Sequence, residues 1–295
     1  MKKKFIIWGH KSHRSNTFYY VNVAFLRAFE YKGWKAIHLD NSDDISNMSF
    51  EECIFFTEGQ ADQKIPILKN AKYILHNCNL EKYADIPSNN ILKLQVFTNG
   101  KQNSVGHSGE KINEYTYFDS KSNTLYQPWA TDLLPSSIDQ KFEQKLNKQI
   151  VWCGTIAHSG FSNHREIGLF LQPAHKQGYK FFHFGNGVSF KDNIDLVKNN
   201  ELSPTIVGTW QKVNDYIPCR IFKNISYGGL GITNSAIIKT IFQDSVIYSK
   251  HENKLFETYK ELNTKQKEKM FLDSCNIVTN QHTYINRIDQ ILELL

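Results

Sequence analysis

Residues 217–235 read IPCRIFKNISYGGLGITNS. Pro218 fixes the entry to a short helix, where its missing N–H costs nothing. Arg220 and Lys223 stand three apart, so both side chains can point the same way. Ile221, Phe222 and Ile225 fall mostly on the opposite, buried side. Tyr227-Gly228-Gly229 ends the helix, glycine being suited to left-handed geometry. The residues LGITNS (230–235) then enter a sheet, with Asn234 and Ser235 at the strand's carboxyl end. Backbone N–H groups at a helix start together with two cations make an anion site. The plainer alternative is a pair of solvated surface cations.

The flanking sequence has a strand-loop-helix rhythm. On the amino side, QIVWC (149–153) is a strand that runs into a loop from Gly154 and Thr155, and a helix starts near Asn163. YKFFHFG (179–185) and LSPTIVGTW (202–210) are the next strands, and LGITNS is the fourth. An earlier series is similar: KKFIIWG (3–9), a polar turn HKSHRSNT, a helix with Phe18, Val21, Phe25 and Phe29 at helical spacing, and WKAIHLD (34–40). Ser15, Asn16 or Thr17 can cap that helix. ECIFFTEG, YILHNCN and ILKLQVFT (52–98) continue as strands. Strand, helix and strand in succession build parallel sheets. Between the two series lie the proline-bearing LYQPWATDLLPSSID (125–139) and a lysine-rich connector, read as an interdomain linker. The expectation is an α/β chain of two Rossmann-like domains facing across a cleft, spanning 1–135 and 148–279. The amphipathic helix within 280–295 is expected to pack back on the first domain.

Composition narrows the function classes. The chain has 295 residues, 40% hydrophobic and 22% charged, enough to bury a sizeable core. Lys plus Arg is 35 and Asp plus Glu is 29, a net charge of +6 that suits an anionic ligand. No basic run exceeds Lys2-Lys3-Lys4, so no nucleic-acid partner is expected. The five cysteines are scattered and lack a C-x-x-C spacing, which fits a reducing, cytoplasmic setting without disulfides or zinc. The apolar run Phe5–Trp8 is too short for a secretory signal, and no stretch approaches a membrane span. Neither G-x-G-x-x-G nor G-x-S-x-G occurs, against a dinucleotide enzyme or a serine hydrolase. HSGE (107–110) lies in a polar loop and is discounted as a nucleophile.

The opening stretch resembles the donor-site segment of GT-B glycosyltransferases of the family 1 and family 4 type, and of spore-protein-like glycosyltransferases. Pro218, Arg220, Ile221, Phe222, Gly228 or Gly229, and the residues ITNS carry the resemblance. PTIVGTWQ (204–211) looks like the strand that meets the nucleotide base in that fold, and 125–135 looks like its linker. The resemblance implies a metal-independent transfer of a hexose or deoxyhexose from a nucleoside-diphosphate sugar to a hydroxyl of a glycan or other acceptor. No further cofactor is implied. The family usually places a glutamate after the phenylalanine to grip the ribose hydroxyls. Lys223 and then Asn224 stand here instead. A lysine cannot accept a hydrogen bond, so Asn224 is the candidate substitute.

Glycosyl transfer needs a stabilised leaving diphosphate, a recognised base and a deprotonated acceptor hydroxyl. No Asp-x-Asp metal triplet occurs, so Arg220 and Lys223 are the candidate diphosphate ligands, followed by the Gly154–Asn163 loop including Thr155. Gly208 and Trp210 offer backbone groups and an aromatic face to a base, though such a tryptophan is as readily core. Asn234 and Ser235 complete the donor set. His10, His13, Glu58 and His76 stand at or near the carboxyl ends of strands, where ligand groups gather, and are the candidate bases. Glu58 follows an apolar run, and desolvation there would raise its pKa toward that of a proton acceptor. Competing readings are a GT-B nucleotide-sugar epimerase or hydrolase, and a non-catalytic nucleotide- or sugar-binding protein.

Overall fold

A computed structural model describes residues 4–11, 17–96, 110–158, 162–185 and 187–295. The candidate His13, the caps at Ser15 or Asn16, and His107–Gly109 of the polar loop lie outside them. The first apolar run is β1 (Lys4–Trp8), followed by α1 (Thr17–Tyr31), β2 (Lys35–Leu39), β3 (Cys53–Thr57), β4 (Lys72–Leu75) and β5 (Ile91–Gln95). Then come β6 (Glu110–Asn113), β7 (Thr116–Asp119) and β8 (Thr124–Tyr126). They form one sheet in the order β2-β1-β3-β4-β5-β8-β7-β6, parallel from β2 to β8 and antiparallel over β8-β7-β6.

Both faces of the parallel part are covered, which is why its strands read as continuous apolar runs. Phe5, Ile7, Ile54, Phe56, Ile74, Leu92 and Leu94 pack on one side with Val21, Phe25 and Phe29 of α1. Ile6, Trp8, Phe55, Tyr73 and Leu75 pack on the other. β1 is opposite β3 in the register Phe5–Ile54 and Ile7–Phe56, so a one-residue slip would exchange the two faces.

The antiparallel β6–β7 pair corrects the polar-loop reading at Glu110, where β6 begins. β6 is an exposed edge with sequence EKIN, and nothing in its composition marks a strand. The linker expected from 125 also starts later. Leu125 and Tyr126 belong to β8, and Trp129 and Ala130 are buried in the first core.

The second series forms β9 (Gln149–Cys153), α2 (His164–Lys176), β10 (Lys180–Phe184), α3 (Phe190–Asn199), α4 (Thr209–Val213), α5 (Arg220–Ser226), β11 (Ile232–Thr233) and α6 (Ala236–Phe242). β12 (Ile247–Tyr248), α7 (Glu252–Glu261) and α8 (Thr264–Gln281) follow. β9 pairs with β10 and β11 with β12, all parallel. Single bridges at Ile150–Leu202 and Thr205–Thr233 join the two pairs through residues 202–205. The strand expected over 202–210 is reduced to these bridges, since Pro204 has no N–H to give the ladder. No strand of the second series joins the first sheet among the described residues. The second core gathers Trp152, Phe170, Ile221, Phe222, Ile225, Ile232 and Phe256.

The last helix, α9 (Tyr284–Leu294), returns to the first core through Tyr284, Ile288 and Ile291. Tyr284 meets Phe25 edge-on at 4.8 Å. Arg287, fully buried, donates to Pro128 O at 2.7 Å and to Gln281 O at 3.1 Å, tying the return to the chain that leaves β8. Among the described residues no helix is long and apolar enough to cross a membrane.

Candidate functional site

The donor segment folds as α5, closed by Gly228 at φ 94°. Ile221, Phe222 and Ile225 are buried in the second core, which turns Arg220 and Lys223 outward, half-buried. The Arg220 guanidinium lies over the Trp152 ring, 3.8 Å from its centroid. Its Nε and Nη2 donate to Cys153 O at 3.2 and 3.1 Å. Gly154 makes this approach possible. A Cβ there would sit 2.8 Å from Arg220 Nη2, and the backbone at φ 109° already disfavours a side chain. The Lys223 ammonium stands 3.6 Å from the centre of the Tyr20 ring, supplied by α1 of the first sheet. Among the described residues neither cation forms an ion pair with a carboxylate. Burial lowers both from their ordinary pKa values, an effect that Cys219 opposes at both and Asp132 at Lys223.

The remaining donor candidates are largely engaged within the chain. Asn224 is buried and donates to Ser203 O at 2.7 Å, so its amide braces the 202–205 segment. Asn163 is buried and accepts from Ala157 N at 3.0 Å, closing its own loop. Thr155 is exposed, and its carbonyl receives the Trp152 indole N–H at 3.4 Å. Asn234 accepts from Val207 N at 2.8 Å and donates to Val207 O at 2.9 Å and to Glu252 Oε1 at 2.8 Å. Gly208 N donates to Gln211 Oε1 at 3.0 Å. The N–H groups of Val207 and Gly208 are therefore already used. Ser235 is buried and caps no N–H with its side chain. Trp210 packs against the first core, together with Tyr216 and Cys219.

At the carboxyl ends of the first sheet, Glu58 is buried after β3 and neither carboxylate oxygen has a hydrogen-bond partner. Asn22 of α1, also buried, has none for either amide atom. The two meet over Gly9. A Cβ on Gly9 would stand 2.7 Å from both Asn22 Nδ2 and Glu58 Oε2, so a larger residue there would displace the pair. Burial raises the Glu58 carboxyl, and the nearby Asp62 adds to the rise. His76 contrasts with it. Its Nδ1 is 2.8 Å from Leu94 O, its Nε2 is 3.0 Å from Asn77 Nδ2, and burial lowers it to about 4. It is neutral at ordinary pH and braced on both sides. His10 follows β1, part-buried.

A polar chain joins α1, the end of α5 and the segment after β8. Tyr20 OH is hydrogen-bonded to Tyr227 OH, which donates to Asp132 Oδ1 at 2.5 Å. Thr131 Oγ1 and Ser226 Oγ meet beside it at 2.6 Å. Tyr20 also faces Phe190 of α3 at 4.7 Å. Trp152, Tyr20, Asp132 and Asn22 were not singled out by the sequence, and Tyr227 was read only as the end of the helix. Trp152 carries the signal of an aromatic near the end of a strand, two residues before a glycine. The others come from distant elements and carry none.

No protein-family model and no curated protein matches the chain. Solved structures do. An α-glucosyltransferase in complex with UDP and a 13-mer DNA containing a HMU base is 7% identical, with 100% of this chain and 99% of that one covered and a TM-score of 0.59. A glycosyltransferase from Rickettsia africae is 13% identical over 99% and 97%, with a TM-score of 0.53. A trehalose-6-phosphate protein from E. coli bound with UDP-2-fluoro glucose is 8% identical over 99% and 99%, with a TM-score of 0.52. The chain has the GT-B fold. Its two Rossmann-like units face each other across a cleft, as the opening stretch implied, and the structures it is similar to are UDP-bound or sugar-transferring proteins.

The expectation that nucleic acid is excluded requires correction. Two of the structures sharing this fold over the whole chain are α-glucosyltransferases holding a 13-mer DNA. The absence of a lysine-arginine run carried that expectation. A two-unit fold gathers cations from distant parts of the chain, so a basic face needs no run in sequence.

Proposed function

We propose that the chain transfers a hexose or deoxyhexose from a nucleoside-diphosphate sugar to an acceptor hydroxyl, without a metal. Residues 148–279 act as the donor side, and residues 1–135 with the helix of 280–295 as the acceptor side. One observation carries the reading: Arg220 and Lys223 are half-buried, rest on aromatic rings and have no carboxylate partner among the described residues. Cations in such surroundings lose hydration without gaining a counter-charge. A diphosphate supplies that charge. Supporting this, four fold neighbours carry UDP or a UDP sugar.

As the bond from the anomeric carbon to the diphosphate oxygen breaks, negative charge grows on the leaving group. Arg220 and Lys223 stabilise it there. The acceptor oxygen forms the new bond to the anomeric carbon and gives its proton to Glu58. The raised Glu58 carboxyl suits this step. His76, neutral and braced, orients the strand ends instead.

The test is a turnover assay over UDP-, GDP-, CDP-, TDP- and ADP-sugars with hydroxyl acceptors, reading free nucleoside diphosphate and glycosylated product. The acceptor panel includes glycans and duplex DNA bearing a hydroxymethyl base, because two fold neighbours hold DNA. Transfer that continues in EDTA is expected. Loss in EDTA that manganese or magnesium restores contradicts the cation-only account. A changed sugar without transfer means epimerisation, and binding without turnover means a carrier.

A further inference from the structure

We infer that Tyr20 is a positioning residue of the donor site, supplied by the acceptor-side unit. It seats the Lys223 ammonium on its ring and, through Tyr227, takes part in keeping the Asp132 carboxylate from neutralising that ammonium. The inference rests on the diphosphate reading of Arg220 and Lys223 and assigns a further residue to that same site.

Three contacts carry it. Tyr20 reaches out of α1 to the donor segment, with its ring 3.6 Å below the Lys223 ammonium. Its hydroxyl meets the hydroxyl of Tyr227, which follows α5. Tyr227 in turn donates to Asp132 Oδ1 at 2.5 Å. Asp132 is buried, and its Oδ2 has no partner. Asp132 acts electrostatically on the half-buried Lys223 ammonium, yet the two form no ion pair. Here the Tyr227 hydroxyl occupies Asp132, and Lys223 rests on π-faces instead, the second being Tyr227 at 5.9 Å. A ring attracts an ammonium through its quadrupole but leaves the full positive charge in place. Lys223 is thereby held in one position and still available to an anion. The Phe190 ring at 4.7 Å and the Tyr227 hydroxyl fix the Tyr20 ring from two sides. Tyr20 therefore brings a contact from the acceptor-side unit to the donor site.

The experiment is calorimetric titration with whichever of UDP, GDP, CDP, TDP and ADP binds the unmodified protein best, and with its bare nucleoside. Tyr20→Phe keeps the ring and loses the hydroxyl; Tyr20→Leu loses both, with Tyr20→Met as a second ring-less variant should Leu fail to fold. The ring-less variant is expected to weaken the diphosphate about fivefold and leave the nucleoside unchanged, while Tyr20→Phe, which keeps the ring but releases Tyr227, weakens the diphosphate less, about twofold. Equal weakening of diphosphate and nucleoside would make Tyr20 a packing residue and overturn the inference. Unchanged diphosphate binding in the ring-less variant, with Lys223→Met weakened, would overturn it too while leaving the diphosphate reading intact. Unchanged binding in both Lys223→Met and Arg220→Ala would remove the diphosphate reading itself, and this inference with it.

Discussion

The two sides of the cleft keep unpaired polar groups in opposite ways. On the first sheet Glu58 is buried without a partner, and burial drives its carboxyl toward the neutral form. On the donor segment Arg220 and Lys223 are only half-buried, and aromatic rings and a carbonyl support them as cations. One side waits for a proton and the other for an anion. Transfer from a nucleotide sugar supplies both, the proton from the acceptor and the anion from the leaving group. The other candidates sharpen the point. His76, Asn224 and Asn234 were candidates on the same grounds and are braced by their own chain. Position at a strand end is therefore a weak mark of function, and an unmet bonding requirement is a stronger one.

The widest gap between the two sides opens on removing the Glu58 charge. Glu58→Gln is expected to slow transfer about a hundredfold or more while leaving nucleoside-diphosphate affinity unchanged. It is also expected to stabilise the fold at neutral pH by about 1 kcal/mol, since an unpartnered buried carboxylate is removed. The sign follows from the raised pKa. Native stability falls as pH climbs from 4.5 through the raised value, and the variant lacks that fall. Denaturant unfolding against pH reads it, and a destabilised Glu58→Gln would make Glu58 structural.

A smaller effect comes from the cation side. Burial lowers Lys223, so diphosphate affinity is expected to decline severalfold at alkaline pH, with a midpoint below the ordinary 10.5 of lysine. The bound anion favours the charged form and moves the midpoint back up. In Lys223→Met that decline disappears. A decline that survives the substitution assigns the titration elsewhere.

The smallest effect on transfer belongs to the braced histidine. His76 is lowered from 6.5 to about 4, so the unfolded chain binds a proton that the native state refuses in this window. Native stability is lost as pH falls from 6.5 toward about 4, with a slope approaching about 1.4 kcal/mol per pH unit. His76→Gln should flatten that slope and leave transfer above pH 6.5 largely intact. A large loss of turnover would give His76 a catalytic part.

Much of this was legible in the sequence where a residue's neighbours in the chain are also its neighbours in space. The parallel strands β1, β3 and β4 announced themselves as apolar runs because both their faces are covered. The helix α5 was readable from Pro218, Ile221, Phe222 and Gly228, and with it the shared direction of Arg220 and Lys223. The edge pair β6–β7 escaped because an exposed edge has no apolar pattern. The roles of Asn224 and Asn234 escaped because Ser203 and Val207, which consume their amides, lie about two dozen residues away. Tyr20 escaped most completely. It reads as one aromatic among several on α1, and only the meeting of two units places it beneath Lys223.

The central claim is that the donor segment binds a diphosphate through its unpaired cations, and titration of Arg220→Ala tests it most directly. The account predicts that nucleoside-diphosphate affinity falls about tenfold or more, the worth of one charge-assisted hydrogen bond, while the bare nucleoside binds as before. Arg220→Lys recovers only part, because an ammonium cannot fork onto two oxygens. Unchanged diphosphate affinity in Arg220→Ala would contradict the claim and move the donor site away from residues 217–235.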